Sequence, residues 1–212
     1  MFFIFGLSGF EVLSVGSEGN GSLDVRCLPN LMGDVRTIFF HSVIDSTEFI
    51  GKVLALFPSV QNVRCVGRPK NEVLIQNSGI LQFSMPKLDD LLFSNCESLV
   101  LMDLGRSEKE LNRFLKIWTS GGNPRLKHLQ ILWDMHAVID HNAIFKGIQY
   151  RHSNQDREMT FKSYSLKLGD PETTVVRGGM DIKTKKGYGA TITIEGGNGF
   201  RLLAWNMYVW NC

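Results

Sequence analysis

Asp134, His136, Asp140 and His141 form the one group in this chain of 212 residues whose side-chain types and proximity resemble a metal site. The two histidines stand five positions apart, which fits neither one face of a helix nor one face of a strand, and no Cys-x-x-Cys pair accompanies them. The expectation is a polar loop leaving a strand. Asp89 and Asp90 offer a carboxylate pair, but they fall just after Pro86, where the start of a helix favours acidic side chains through its macrodipole alone. Lys183, Lys185 and Lys186 are the densest basic cluster, and their place beside a turn reads as a solvated hairpin tip. His41 ends a strand-like run and His128 points off another, so both are expected at a surface or interface.

Glycine-rich stretches offer no better chemistry. Gly19 and Gly21 have no Lys-Ser or Lys-Thr pair after them, Gly121 and Gly122 follow a helical pattern where a phosphate loop would precede one, and Gly196 to Phe200 lies between β-like runs. Turn chemistry accounts for all three. There is no Gly-x-Ser-x-Gly elbow, and Cys65 and Cys96 occupy positions with a core pattern. No catalytic, cofactor-binding or metal-binding residue is therefore assigned, no cofactor is expected, and the chain is read as not an enzyme.

Composition sets the class. With 43% apolar and 21% charged residues the chain has the make-up of a globular protein, and a net charge of +2 does not by itself demand an acidic partner. Cys27, Cys65, Cys96 and Cys212 are scattered, without the spacing of a disulfide framework or zinc site, as in proteins of a reducing compartment. The opening MFFIFGL is short and has no basic residue before it, unlike a signal peptide, and no apolar run is long enough to span a membrane. The expected location is intracellular, in cytoplasm or nucleus, with no membrane association.

The elements that must position any site are clearest between Ser107 and Leu132. Ser107 and Glu110 have capping-box spacing, and Leu111, Phe114, Leu115 and Trp118 fall on one helical stripe. Gly121, Gly122 and Pro124 end that helix, and a strand from Leu126 to Trp133 follows. An apolar-x-x-apolar-x-apolar triplet recurs at Val35, Ile38, Phe40; at Val60, Val63, Cys65; at Cys96, Leu99, Leu101; and at Leu126, Leu129, Ile131. Helical patterns fill the intervals, one from Ser46 to Phe57 and one after Pro86 with Leu88, Leu91 and Leu92, as parallel strands with helical crossovers require. Asn112 lies beside the apolar stripe, placed to hydrogen-bond a neighbouring loop.

Before Val35, Phe10 to Val15 and Ser22 to Cys27 read as a hairpin or two edge strands. After Trp133 the β-like runs are Phe145 to Tyr150, Thr160 to Leu168, Thr173 to Arg177, Met180 to Lys183, Ala190 to Ile194 and Phe200 to Trp210. Short consecutive strands favour antiparallel pairing. Along the last run, alternation sets Trp205 and Met207 on one face and Tyr208 and Trp210 on the other, with core burial the default and an exposed ring a candidate interface anchor. The fold class expected is α/β: a small leucine-rich-repeat-like helix and strand array with parallel strands, then an antiparallel β-rich C-terminal part.

The run LNRFLKIW with Gly-Gly-Asn-Pro-Arg-Leu at 121–126, and GGMDIKTKKGYGATITI from Gly178 to Ile194, resembles the type 2 F-box-associated family, expanded in nematodes. The resemblance covers roughly residues 35–210. It implies a protein–protein interaction module, the substrate-recognition part of an F-box adaptor of a cullin ubiquitin ligase, holding an unknown target protein. Relatives carry an F-box upstream, and no helical pattern of that length precedes Val35. The organisation expected is an N-terminal β-like segment over 1–34 with no recognisable F-box, the leucine-rich-like array over 35–133, and the β-rich part over 134–212. A Skp adaptor and cullin are implied partners only if an F-box lies upstream. The alternative is a free-standing target-binding module or decoy without ligase recruitment, and a more remote one is nucleic-acid binding through the lysine-rich tip. Where relatives show Asp-Gly in the Asp181 hairpin, this chain has Lys186, Gly187, Tyr188 and Gly189, which implies a looser loop than a type I′ turn.

Overall fold

The computed structural model describes residues 2–6, 12–17, 35–41, 47–69, 71–84, 86–102, 108–134, 136, 138–163, 172–196 and 202–210. Among them the chain is mixed α/β, with more strand than helix. The strands are β1 (Phe2–Gly6), β2 (Val12–Ser17), β3 (Thr37–Phe40), β4 (Asn62–Cys65), β5 (Ile80–Ser84), β6 (Ser98–Met102), β7 (His128–Asp134), β8 (Tyr150–His152), β9 (Glu158–Ser163), β10 (Glu172–Arg177), β11 (Met180–Lys183), β12 (Gly189–Gly196) and β13 (Leu202–Trp210). The helices are α1 (Thr47–Leu56), α2 (Asn71–Leu74), α3 (Leu88–Phe93), α4 (Glu108–Thr119) and α5 (His141–Phe145).

One sheet of eleven strands runs in the order β1-β2-β3-β4-β5-β6-β7-β13-β12-β11-β8, and β9 with β10 makes a separate pair. Pairing is parallel from β2 through β7 and antiparallel from β7 to β8. The second and third members of each apolar triplet lie in this common sheet and in one register, the first member preceding its strand: Ile38 stands opposite Val63, and Leu99 opposite Leu129. Between them is a strand the triplet reading missed, β5, which sets Leu81 between Val63 and Leu99. Its unit opens on the buried Ser78 where the others open on an apolar residue, which hid it from a pattern of apolar positions.

The row continues through Met207 to Ile192 on the antiparallel side, so both parts share one apolar face. The stripe Leu111, Phe114, Leu115 and Trp118 is buried in the same cluster, and at roughly 1.5–3 kcal/mol for each large apolar side chain its burial outweighs any exposed ion pair on α4. Ser107 lies outside the described residues; α4 begins at Glu108. It ends in a Schellman closure, Gly122 N–H donating to Ile117 O at 3.0 Å and Gly121 N–H to Trp118 O at 2.8 Å, with Gly121 at φ 102°.

Other expectations need revision. Phe145 to Tyr150 is not a strand: α5 occupies 141–145 because Asp140 caps it, accepting from Ala143 N–H at 3.1 Å, and the chain turns before β8. Pro86 precedes the first turn of α3 instead of opening it. The N-terminal hairpin pairs β1 with β2, and Ser22 to Cys27 lies outside the described residues. The Thr184 to Tyr188 loop is tight, closed by Thr184 N–H to Tyr188 O at 2.8 Å and Gly187 N–H to Thr184 O at 3.1 Å. Gly187 takes the positive φ of 92°, so Lys186 is spared it.

Candidate interaction site

On the face of the sheet away from the apolar row, the residues two positions into each triplet form a polar ladder. Thr37 stands opposite Asn62, whose side-chain amide donates to its hydroxyl at 3.0 Å, and Ser98 stands opposite His128, Oγ to Nδ1 at 3.0 Å. A serine hydroxyl against an imidazole has the make-up of a nucleophile and base. Both residues are wholly buried, however, so a substrate has no route to the hydroxyl. Burial pulls the His128 pKa down to about 4, with the Asn206 side chain acting in the opposite sense, and Nε2 makes no hydrogen bond. His128 is thus a neutral strut inside the sheet, contrary to the expected surface role. The reason is positional: Tyr208 of β13 pairs beside it and stacks on its ring at a centroid distance of 5.0 Å.

The ladder extends into the antiparallel part, where β9 and β10 lie against it. Phe161 stacks on Tyr208 at 5.0 Å, and Arg157 grips Asp181 with Nη1 at 2.6 Å and Nη2 at 2.8 Å. Thr191 Oγ1 donates to Asp181 at 2.8 Å and accepts from the Trp210 indole N–H at 3.0 Å. Burial pushes the Asp181 carboxyl up, but bonds from Arg157, Thr191 and Ser153 outweigh it and hold the group below its ordinary value. The charge is satisfied internally. This network pins the β9–β10 pair over the sheet instead of offering an ionisable group to a ligand.

The residues singled out from sequence distribute as follows. Asp134 accepts from His136 N–H at 2.8 Å and Asp140 is spent on its cap, and among the described residues no three His, Cys, Asp or Glu side chains converge as a metal site. Asp90 is more than a dipole partner. It is buried, holds Arg68 by two bonds of 2.6 Å, and accepts from Lys87 N–H at 2.7 Å. Cys65 and Cys96 are buried, and burial raises their thiols to about 12 and about 11, so neither is a thiolate at neutral pH. Cys27 and Cys212 lie outside the described residues. Trp205 and Tyr208 are buried, and Trp210 is half-buried. The exposed large apolar side chains are elsewhere, Ile75, Phe93, Ile117, Tyr150, Val175 and Tyr188 among them.

Asn112 makes the bond its position implied. Its amide donates to Ile144 O at 2.7 Å and Lys146 O at 2.9 Å, tying α5 to α4. The lysine-bearing turn also docks here, Lys185 N–H donating to Thr119 O at 3.0 Å. No helix among the described residues is long and apolar enough to cross a membrane.

Residues 70–131 match the family model described as F-box associated. A curated relative, the "F-box associated domain-containing protein sdz-33" of Caenorhabditis elegans, is 34% identical over 104 residues, 48% of this chain and 34% of that protein. The chain therefore spans about a third of the length of the curated relative it matches. No solved structure matches it. The matched segment runs from α2 to β7, three successive helix and strand units of the parallel array. Through that segment, the chain is similar to F-box-associated proteins, among them this nematode relative.

Proposed function

We propose that this chain is a protein-recognition module, the target-binding part of an F-box-type adaptor for a cullin ubiquitin ligase. The observation that carries the reading is the F-box-associated match over 70–131, which falls on the most regular part of the sheet. In this reading the array over 35–133 is a leucine-rich-like scaffold whose strands repeat in register, residues 134–212 complete the module, and 1–34 is an N-terminal β-like segment. Contacts with the target are, in this reading, non-covalent and involve no cofactor. The place of action is the cytoplasm or nucleus.

The test is affinity purification of the tagged full chain from Caenorhabditis elegans cells, with cross-linking before lysis and mass spectrometry of what is retained. A third protein cross-linked to this chain is the expected result, joined by a Skp adaptor and a cullin if an F-box lies upstream of these residues. A cross-linked target recovered without adaptor or cullin assigns the chain to the free-standing or decoy role. Recovery of no cross-linked protein overturns the recognition reading itself.

A further inference from the structure

We propose that the lysine-rich corner where α4, α5 and the β11–β12 turn meet is a docking site for an acidic peptide segment of a partner protein, an inference that rests on the recognition reading above. The sequence is without aspartate or glutamate over 111–133, 141–150 and 182–194, and the fold brings those three segments together. Asn112 bonds join the first to the second, and the Lys185 to Thr119 bond joins the first to the third. Lys116 passes over Gly147, its Nζ 3.6 Å from where a β-carbon on that glycine would stand. Lys186 lies likewise over Gly121, its Nζ at 3.7 Å. Lys116, Lys146, Lys185 and Lys186 are all exposed, and among the described residues none of their ammonium groups pairs with a carboxylate.

The C-terminal end of α4 carries a partial negative charge of about half an electron, enough to explain one lysine there and not four. Four exposed lysines on one corner repel one another, and a partner's carboxylates remove that repulsion. Ile117 is 41% exposed on α4, and Tyr150, 44% exposed, packs on Phe145 of α5. Apolar side chains beside the lysines suit a peptide that alternates acidic and apolar residues. A nucleic-acid site fits less well, because the chain as a whole carries only +2.

Fluorescence anisotropy of a labelled peptide of repeating Glu-Glu-Leu, titrated with the full chain at about 50 mM salt, reads the site directly. Saturable binding is expected, weakened on the order of tenfold by Lys116→Glu with Lys186→Glu and left alone by Lys162→Glu on β9, across the sheet. Unchanged melting confirms that the double variant is folded, and Lys116→Gln with Lys186→Gln replaces it if it is not. Three results overturn the proposal: no binding of the peptide, equal affinity in the charge-reversed chain, or tighter binding of an oligothymidylate than of the peptide. Undiminished cross-linking of a target by the charge-reversed chain in cells also overturns it while leaving the recognition reading intact.

Discussion

The parallel and antiparallel parts of the sheet bury the same helix-side face in different ways, and they differ more on the opposite one. From β3 to β7 each strand is joined to the next through helical or loop crossovers, and the core is a stack of like positions: Ile38, Val63, Leu81, Leu99 and Leu129. From β13 to β8 the strands pair antiparallel, with the short α5 and the C-terminal end of α4 beside them, and β9 and β10 lie against their other face. Apolar contact is non-directional and adds up along a repeating register, whereas a two-stranded pair has too little apolar surface to hold itself down and needs directional bonds. Hence β9 and β10 are held by the bidentate Arg157 to Asp181 pair, whereas the main sheet is held by its shared apolar row.

Breaking the apolar ladder should have the larger effect. Phe114 is fully buried beneath α4, and Phe114→Ala is expected to lower stability by about 3–5 kcal/mol in chemical denaturation. Phe161→Ala, which strips a half-buried ring from the β9–β10 pair, should cost about 1 kcal/mol. Equal losses from the two would show that the comparison is mistaken.

Acid tests the boundary between the two parts, where His128 sits. Its folded pKa of about 4 is below the ordinary 6.5, so the neutral form belongs to the fold; its contribution is complete above pH 6.5 and is lost as the pH falls toward 4. At about 1.4 kcal/mol for each pH unit of that gap, roughly 3 kcal/mol disappears over the window. Asp181, also held low, loses its contribution further down, as the pH falls through its folded pKa. Denaturation midpoints measured from pH 7 to 4 should fall in the native chain and stay flatter in His128→Phe. A slope unchanged by that substitution would exclude His128 as its source.

Asp181→Asn removes a charge that Arg157 and Thr191 bond, and the expected cost is about 2 kcal/mol, moderated because Arg157 remains partly in solvent. Replacing both members with leucine should be less harmful than Asp181→Asn, since no unpaired guanidinium then remains. Proteolysis within 158–177 reports release of the β9–β10 pair in the single variant. Destabilisation without added cleavage there would mean that the ion pair supports the main sheet instead.

Local pattern made much of the parallel part legible. The Leu111 to Trp118 stripe and the Gly121, Gly122, Pro124 ending describe α4 correctly because each signal acts within a few residues. The triplets gave the strand register for the same reason. They also contained an unread consequence: Ser98 and His128 occupy the same place in successive triplets, so the repeat itself sets them side by side. Ser78 broke the apolar pattern and concealed β5. Arg68 with Asp90 and Arg157 with Asp181 join residues 22 and 24 positions apart, and no local spacing announces such pairs. Five-residue α5 was illegible because so short a helix depends on its cap and on tertiary bonds more than on periodicity.

Those tertiary bonds provide the finest test of how the two parts are joined. Asn112 belongs to α4 and donates to two carbonyls at the end of α5, groups that the helix leaves without internal partners. Asn112→Ala should cost about 1–2 kcal/mol, since it strands two acceptors and removes little apolar surface. If α5 is held chiefly by this side chain, the loss stays local. Hydrogen exchange at the Ile144 and Ile148 amides, which donate to Asp140 O and Phe145 O, should then quicken about fivefold to thirtyfold while the β5 and β6 amides keep their protection. Faster exchange throughout the parallel array would instead mean that α4 depends on α5 for its own position, and that the two parts unfold as one.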